Sequence, residues 1–170
     1  MKYFYNRILK ILKKILFSVY WYEIINDQKV ISKLNKNYKL LIFKSKQKTI
    51  KFLKKKQFFI DNNKFKRFGK KTNLLMLVKN KDIVCTGWIF FGKKWKITEV
   101  NSIVTLKNTL LLFDYETPKK HRNKGYYSTL LKLIRKKFNK KKLAIYSLSY
   151  NISSKRGIEK AGFKFIKKIN

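Results

Sequence analysis

The sequence is short of the residues that covalent scaffolds and most metal centres need. Among 170 residues there is one cysteine, one histidine, one proline and six glycines, and only eight carboxylates stand against 44 lysines and arginines. A lone cysteine, Cys85, allows no intrachain disulfide, so noncovalent packing has to hold the fold. Set among Ile83, Val84 and Trp88, it reads as a small core residue rather than a nucleophile. A lone histidine, His121, argues against histidine-based metal sites and against Cys–His or Ser–His–Asp catalysis. No two His or Cys residues share ligand spacing, so no zinc site and no metal are expected. No apolar run reaches the roughly 18 residues of a membrane-spanning helix. Lysines interrupt the N-terminal apolar run and no small-residue cleavage site follows it, so no secretory leader is expected. The expected compartment is the cytoplasm.

What is present is a core and a charge. Apolar residues make up 45% of the chain and aromatics 16%, enough to bury an interior and to exclude a disordered basic tail. The net charge of +36 points to a polyanionic partner: nucleic acid, an anionic membrane or a phosphorylated ligand. Only Arg7, Arg67, Arg122, Arg135 and Arg156 are arginines; the remaining cations are lysine. Lys, Asn, Ile, Phe and Tyr are abundant while Pro, Gly, Ala and His are scarce, the mark of A/T-rich codons. The charge by itself is therefore a weak argument for nucleic-acid binding. Aromatics such as Trp88, Phe90 and Phe113 sit at alternating strand positions, as core residues do, and no nucleic-acid motif is present.

Residues 4–17 have the pattern of an amphipathic helix, with Phe4, Ile8, Leu9, Ile11, Leu12, Ile15 and Leu16 on one face and lysines on the other. Such a helix packs on its own domain or lies on an anionic membrane, and residues 1–20 are the segment where peripheral membrane contact is conceivable. Two β-prone runs follow, Val19–Ile25 and Val30–Leu34. Strands are predicted at Tyr38–Phe43, Leu74–Val78, Ile83–Phe91, Trp95–Val100, Leu110–Tyr115, Leu143–Leu148 and Phe163–Ile169. Gln47–Phe68 should hold one or two short helices. Gly125–Phe138 reads as a helix with a stripe of Tyr126, Leu130, Leu133 and Ile134; Asn151–Ala161 is another, ended by Gly162. Strands first and then strand–helix–strand–helix–strand predict a mixed α/β (α+β) sheet. Residues 1–37 are expected to form an N-terminal helical extension, and 38–170 the domain proper.

The segment from Thr117 to Ser128 carries most of the chemical information. It follows a strong strand and opens a helix, whose free N–H groups and dipole suit a phosphate. Gly125 lets backbone approach such a group, and Lys119, Lys120, Arg122 and Lys124 surround it with positive charge.

The loop Arg122-Asn123-Lys124-Gly125-Tyr126-Tyr127 and the later run from Asn151 to Phe163, in this order after the strand Leu110–Thr117, resemble the GNAT superfamily of acyl-CoA-dependent N-acyltransferases. The first is similar to that family's Arg/Gln-x-x-Gly-x-Gly/Ala loop. The second is similar to its Asn-x-x-Ser/Ala helix entry followed by Glu-Lys-x-Gly-Phe. The likeness covers residues 74–168. It implies a mostly antiparallel twisted sheet flanked by helices, and acetyl-CoA as the acyl donor, with coenzyme A as product. It implies that Tyr115, Glu116 and Thr117 pair with the pantetheine, that N–H groups from Asn123 through Lys124, Gly125, Tyr126 and Tyr127 to Ser128 hold the pyrophosphate beside Arg122, and that Asn151 and Ser154 meet the pantetheine. A splay between the strand ending at Thr117 and Leu143–Leu148 would admit the thioester. Three positions depart from the pattern: Tyr127 is bulky where a small residue is usual, Pro118 comes one residue early with Lys119 in its usual place, and Ile158 stands where many members carry a proton-donating Tyr. That role then falls to Tyr150, Tyr127 or water.

Transfer to an amine needs a base. Glu23, Asp27, Asp61, Asp82 and Glu159 fall in the N-terminal segment, turns or the last helix, leaving Glu116, Asp114 and Glu99 as candidates, in that order. By the period of two, Asp114 and Glu116 share a face with Leu110 and Leu112. The expected reaction is acetyl transfer to a primary amine of a small molecule, such as an amino sugar or another anionic acceptor. The alternatives are a basic nucleic-acid- or ribosome-binding protein, with no specific nucleic acid expected, or a catalytically impaired GNAT-fold protein at a membrane surface.

Overall fold

Long apolar runs decide where the sheet is buried on both sides. Leu74 to Val78 and Ile83 to Ile89 are buried without alternation, which a strand tolerates only when both of its faces are covered. The computed structural model describes residues 18–24 and 37–170. The expected helix at 4–17 and the run Val30–Leu34 lie outside the described residues.

Among the described residues nine strands and three α-helices follow one another: β1 (Val19–Glu23), β2 (Tyr38–Phe43), α1 (Lys46–Lys55), β3 (Thr72–Lys79), β4 (Asp82–Phe90), β5 (Lys94–Ile97), β6 (Ser102–Thr105), β7 (Thr109–Glu116), α2 (Tyr126–Lys137), β8 (Lys142–Leu148), α3 (Ile152–Lys160) and β9 (Lys164–Ile169). Seven strands form one sheet in the order β2-β3-β4-β7-β8-β1-β9. Only β7 and β8 are parallel; every other pair in that sheet is antiparallel. The parallel pair needs a crossover, and α2 supplies it.

Three expectations need adjustment. The strand expected at Trp95–Val100 ends at Ile97, and the unforeseen β6 pairs with it in a separate two-stranded hairpin. Val19–Glu23, counted with the N-terminal extension, is β1 and lies between β8 and β9 inside the main sheet. On α2 the fully buried stripe is Tyr126, Leu130, Leu131 and Ile134, with Leu133 only partly covered.

Two layers of side chains close the sheet. On one face, Leu75, Leu77, Leu110, Leu112 and Ile145 pack under Leu130, Leu131 and Ile134 of α2 and Ile158 of α3. On the other, Leu74, Met76, Trp88 and Phe113 meet Leu53 of α1 and Phe65 of a 3-10 turn at Asn62–Arg67. Ile97 and Leu106 extend that second layer over Val19, Trp21 and Leu111. Truncating a side chain as enclosed as Leu131 to Ala costs about 2–5 kcal/mol.

Candidate functional site

The alternation of β7 breaks near its end. Trp88 of β4 is opposite Phe113, but Thr86 is opposite Glu116, so β7 carries one extra residue there. That residue forms a β-bulge with Asp114 in a left-handed conformation, φ +50°. Phe113 and Asp114 consequently face the same side. Asp114 pairs with Arg67 (2.7 Å) and, more loosely, with Lys64 (3.8 Å) of the 3-10 turn, while Tyr115 turns back under the helices. The expectation that Asp114 and Glu116 share the face of Leu110 and Leu112 is thereby corrected. The bulge moves both carboxylates to the opposite face, where Glu116 pairs with Lys64.

The bulge also ends a ladder. Pairing between β7 and β8 runs only from Thr109–Lys142 to Leu112–Ile145, although both strands continue beyond it. Past that point β8 stays with β1, and the two parallel strands part.

Beyond β7, a 3-10 turn at Lys119–His121 leads into the helix start. Asn123 (φ +60°) and Gly125 (φ +73°) are both left-handed, and Gly125 occupies the N-cap of α2. A glycine cannot cap with a side chain. The hydroxyls of Ser128 and Thr129 instead donate back to its carbonyl at 2.9 and 3.0 Å. The N–H groups of the first turn thus point outward without a side-chain cap, in the arrangement that binds anions. A Cβ on Gly125 would meet nothing nearer than 3.9 Å; only the left-handed backbone asks for glycine here.

The bulky Tyr127 has a seat. Its ring lies 5.5 Å from that of Tyr115, and each ring rests on a glycine. A Cβ at Gly87 would come within 2.3 Å of Tyr115, and one at Gly157 within 2.5 Å of Tyr127. The Tyr127 hydroxyl lies 3.4 Å from that of Ser154. Burial holds both tyrosines neutral, pushing their hydroxyls well above the ordinary range. Asn151 caps α3 by accepting the Ser154 N–H at 3.0 Å.

These pieces line one cavity of about 430 Å³ between the end of β7 and the starts of α2 and α3. Tyr115, Glu116 and Thr117 form its strand wall; Arg122, Asn123, Gly125, Tyr126, Tyr127 and Ser128 its loop and helix wall; Asn151 and Ser154 the far side. Of the residues expected there, Lys124 is the exception: its ammonium donates to the Lys120 carbonyl at 3.2 Å. Arg156, Gly157, Lys160 and Ser153 also line the cavity and were not expected there, and His121 joins them. The signal for Arg156 and Lys160 was their i, i+4 spacing on α3. Burial and the charges of Lys120 and Lys124 hold the His121 imidazole below its ordinary pKa.

The third candidate base lies elsewhere. Glu99 is exposed in the turn between β5 and β6, where it accepts from the Thr98 hydroxyl at 3.2 Å. Its charge still reaches Tyr146, the first residue of β8 after the parallel ladder ends. Burial, followed by Glu99, pushes the Tyr146 hydroxyl up to about 12, with Asp114 adding to the same effect. Trp95 Nε1 donates to that oxygen at 3.4 Å, which leaves the Tyr146 proton free to be given elsewhere. Nothing in the local sequence of β8 marked Tyr146; the bulge and the hairpin bring its neighbours to it.

Of the expected donors, Tyr127 lines the cavity, whereas Tyr150 is 60% exposed and does not; Ile158 is fully buried in the core. Burial raises the Cys85 thiol to about 12, which agrees with a core role. Among the described residues no group of three His, Cys, Asp or Glu side chains could hold a metal ion. No helix among them is long and apolar enough to cross a membrane.

No protein-family model and no curated protein sequence matches the chain. Solved structures do. A GNAT-family acetyltransferase from Colwellia psychrerythraea is similar with a TM-score of 0.55 and 14% identity, over 88% of this chain and 53% of that one. A GNAT acetyltransferase, described as putative, from Novosphingobium aromaticivorans gives 0.51 and 12%, over 89% and 61%. A conserved protein of unknown function from Staphylococcus epidermidis gives 0.56 and 10%, over 95% and 64%. The chain thus spans less than two thirds of the length of each, and identities this low speak to architecture. The mostly antiparallel sheet flanked by helices agrees with that likeness: the chain has the fold of the GNAT acetyltransferases.

Proposed function

We propose that the chain is an acyl-CoA-dependent N-acyltransferase that moves an acetyl group from acetyl-CoA to a primary amine of a small molecule. One observation carries the reading. The strand end, the left-handed loop, the uncapped helix start and the Asn151 cap converge on a single cavity. The residues present fit coenzyme A. Outward N–H groups at the start of α2, with Arg122, Arg156 and Lys160, suit its phosphates, and the free edge of β7 beyond Leu112 suits its amides.

The donor supplies an activated thioester carbonyl. The chain has to orient an amine, remove its proton and provide one to the leaving sulfur. Glu116 is the base of choice. It lines the cavity, is the more exposed of the two β7 carboxylates, and has one cation on it where Asp114 has two. Arg67 and Lys64 fix Asp114 as a positioning group for the bulge. Tyr127, held neutral by burial and lining the cavity, is the proton donor that stands in for the missing helix tyrosine, with Tyr146 at the parting of β7 and β8 as the second candidate. The acceptor is a small amine, with an amino sugar or another anionic molecule favoured by the net charge of +36.

A second reading rests on the ion pairs at Glu116 and Asp114 and on the buried Ile158: a protein that binds coenzyme A without turnover. Thermal-shift titration with coenzyme A, paired with thiol release from acetyl-CoA across a panel of amines, separates the two. A shift with amine-dependent thiol release supports the enzyme, a shift without release supports the binding protein, and no shift sinks both.

A further inference from the structure

The far end of α2 carries a second cavity, of about 700 Å³. Its twelve-residue helix separates it from the first by roughly 18 Å at 1.5 Å per residue. Four lysines line it, Lys44 and Lys48 from the β2–α1 junction, Lys70 and Lys137 from two other segments, and no carboxylate does. None of the four belongs to an ion pair among the described residues, although Glu23, Asp114 and Glu116 each hold a cation elsewhere. The helix α1 opens at the same place with no acid in its first turn, and its Ser45 cap on the Lys48 N–H is long, at 3.5 Å. The last turn of α2 brings a partial negative charge, which its own Arg135, Lys136 and Lys137 oppose.

The cavity also has an exposed aromatic wall. Phe91 is 41% exposed, whereas Trp88 three residues earlier on the core side of β4 is buried. Phe138 meets it edge-on, centroids 6.3 Å apart at 65°. Cations gathered without a counter-charge suit phosphates, and an exposed aromatic face suits a base.

We infer that this cavity is a binding site for a nucleoside phosphate, with the phosphates on Lys44, Lys48, Lys70 and Lys137 and the base stacked on Phe91. The site is independent of the acyltransferase reading. The ligand is a free nucleotide or the end of a single strand, which present the same chemistry.

The test is isothermal titration of the full chain with ATP, with and without saturating coenzyme A. Adenosine, inorganic triphosphate and a short oligothymidylate serve as parallel probes. ATP should bind with coenzyme A present, and adenosine and triphosphate should each bind more weakly than ATP. Phe91→Ala should weaken ATP about tenfold, in the range of base–aromatic stacking. Lys70→Glu should weaken it comparably. Lys140→Glu, exposed and outside the cavity, should leave it unchanged. Matching thermal melts of the variants confirm that they fold. Oligothymidylate binding tighter than ATP, with the same sensitivity to Phe91→Ala, assigns the site to nucleic-acid ends; ATP binding as tight or tighter assigns it to free nucleotides. No binding of ATP, an unaffected Phe91→Ala, or a Lys140→Glu loss equal to that of Lys70→Glu overturns the inference.

Discussion

At the bulge of β7 the two faces of the sheet are built from different materials. Under the helices, Tyr115 and Tyr127 share a dry contact seated on Gly87 and Gly157, and the neighbouring helix start presents backbone N–H groups. On the other face, Asp114 and Glu116 meet Arg67 and Lys64, with Tyr146 and Trp95 nearby. The first face depends on shape and tolerates no added atom at two points. The second depends on charge and can exchange partners. A site that must recognise a fixed ligand and also move a proton needs both, and one inserted residue in β7 puts them back to back.

The comparison can be broken one face at a time. The largest expected effect is on the charged face: Glu116→Gln should lower turnover on the order of a hundredfold or more, the range for a lost general base, with the coenzyme A thermal shift retained. Thiol-release kinetics beside thermal melts read both quantities. On the shape face, Gly125→Val forces a β-branched residue to φ +73°, a strain of about 1–2 kcal/mol or more. The loop should relax away from it, and coenzyme A affinity should fall about tenfold, as that strain implies, while the nucleotide titration of the far cavity stays the same. Gly157→Ala drives a methyl into the Tyr127 ring and should destabilise the fold by about 1–3 kcal/mol, a loss largely recovered in a Tyr127→Ala background. Denaturant unfolding of the four proteins of that cycle measures it.

The smallest expected effect concerns His121. Its folded pKa lies below the ordinary 6.5, so the unfolded chain binds the proton more readily. Stability is therefore undiminished above that value and slips as the pH falls below it. A small decline in melting temperature as the pH falls below 6.5 should vanish in His121→Gln.

Much of this architecture is legible in the residue types alone. The helix start at Gly125, the cap at Asn151 and the turn at Gly162, with φ +85°, are written in residues whose local preferences are strong. The strands β3 and β4 announce themselves by unbroken apolar runs. Glu99 escapes because the strand expected to carry it ends at Ile97, and the facing of Asp114 escapes for a different cause. The period of two assumes a regular ladder, and the bulge opposite Gly87 is a property of two paired strands rather than of either alone. Tyr146 carries no local signal because its surroundings come from β5, β7 and the 3-10 turn, far away in sequence.

The scarcity that marks this sequence determined what the protein is not: a disulfide scaffold, or a chain with His/Cys spacing for a zinc site. Local sequence also determined the helix ends and the left-handed loop, since those depend on the backbone preferences of a few neighbouring residues. The tertiary structure alone decided which carboxylate stands where, how a bulky Tyr127 is housed, and that four scattered lysines share one cavity with Phe91. Each of those is a contact between segments distant along the chain, and such contacts exist only once the sheet has been assembled.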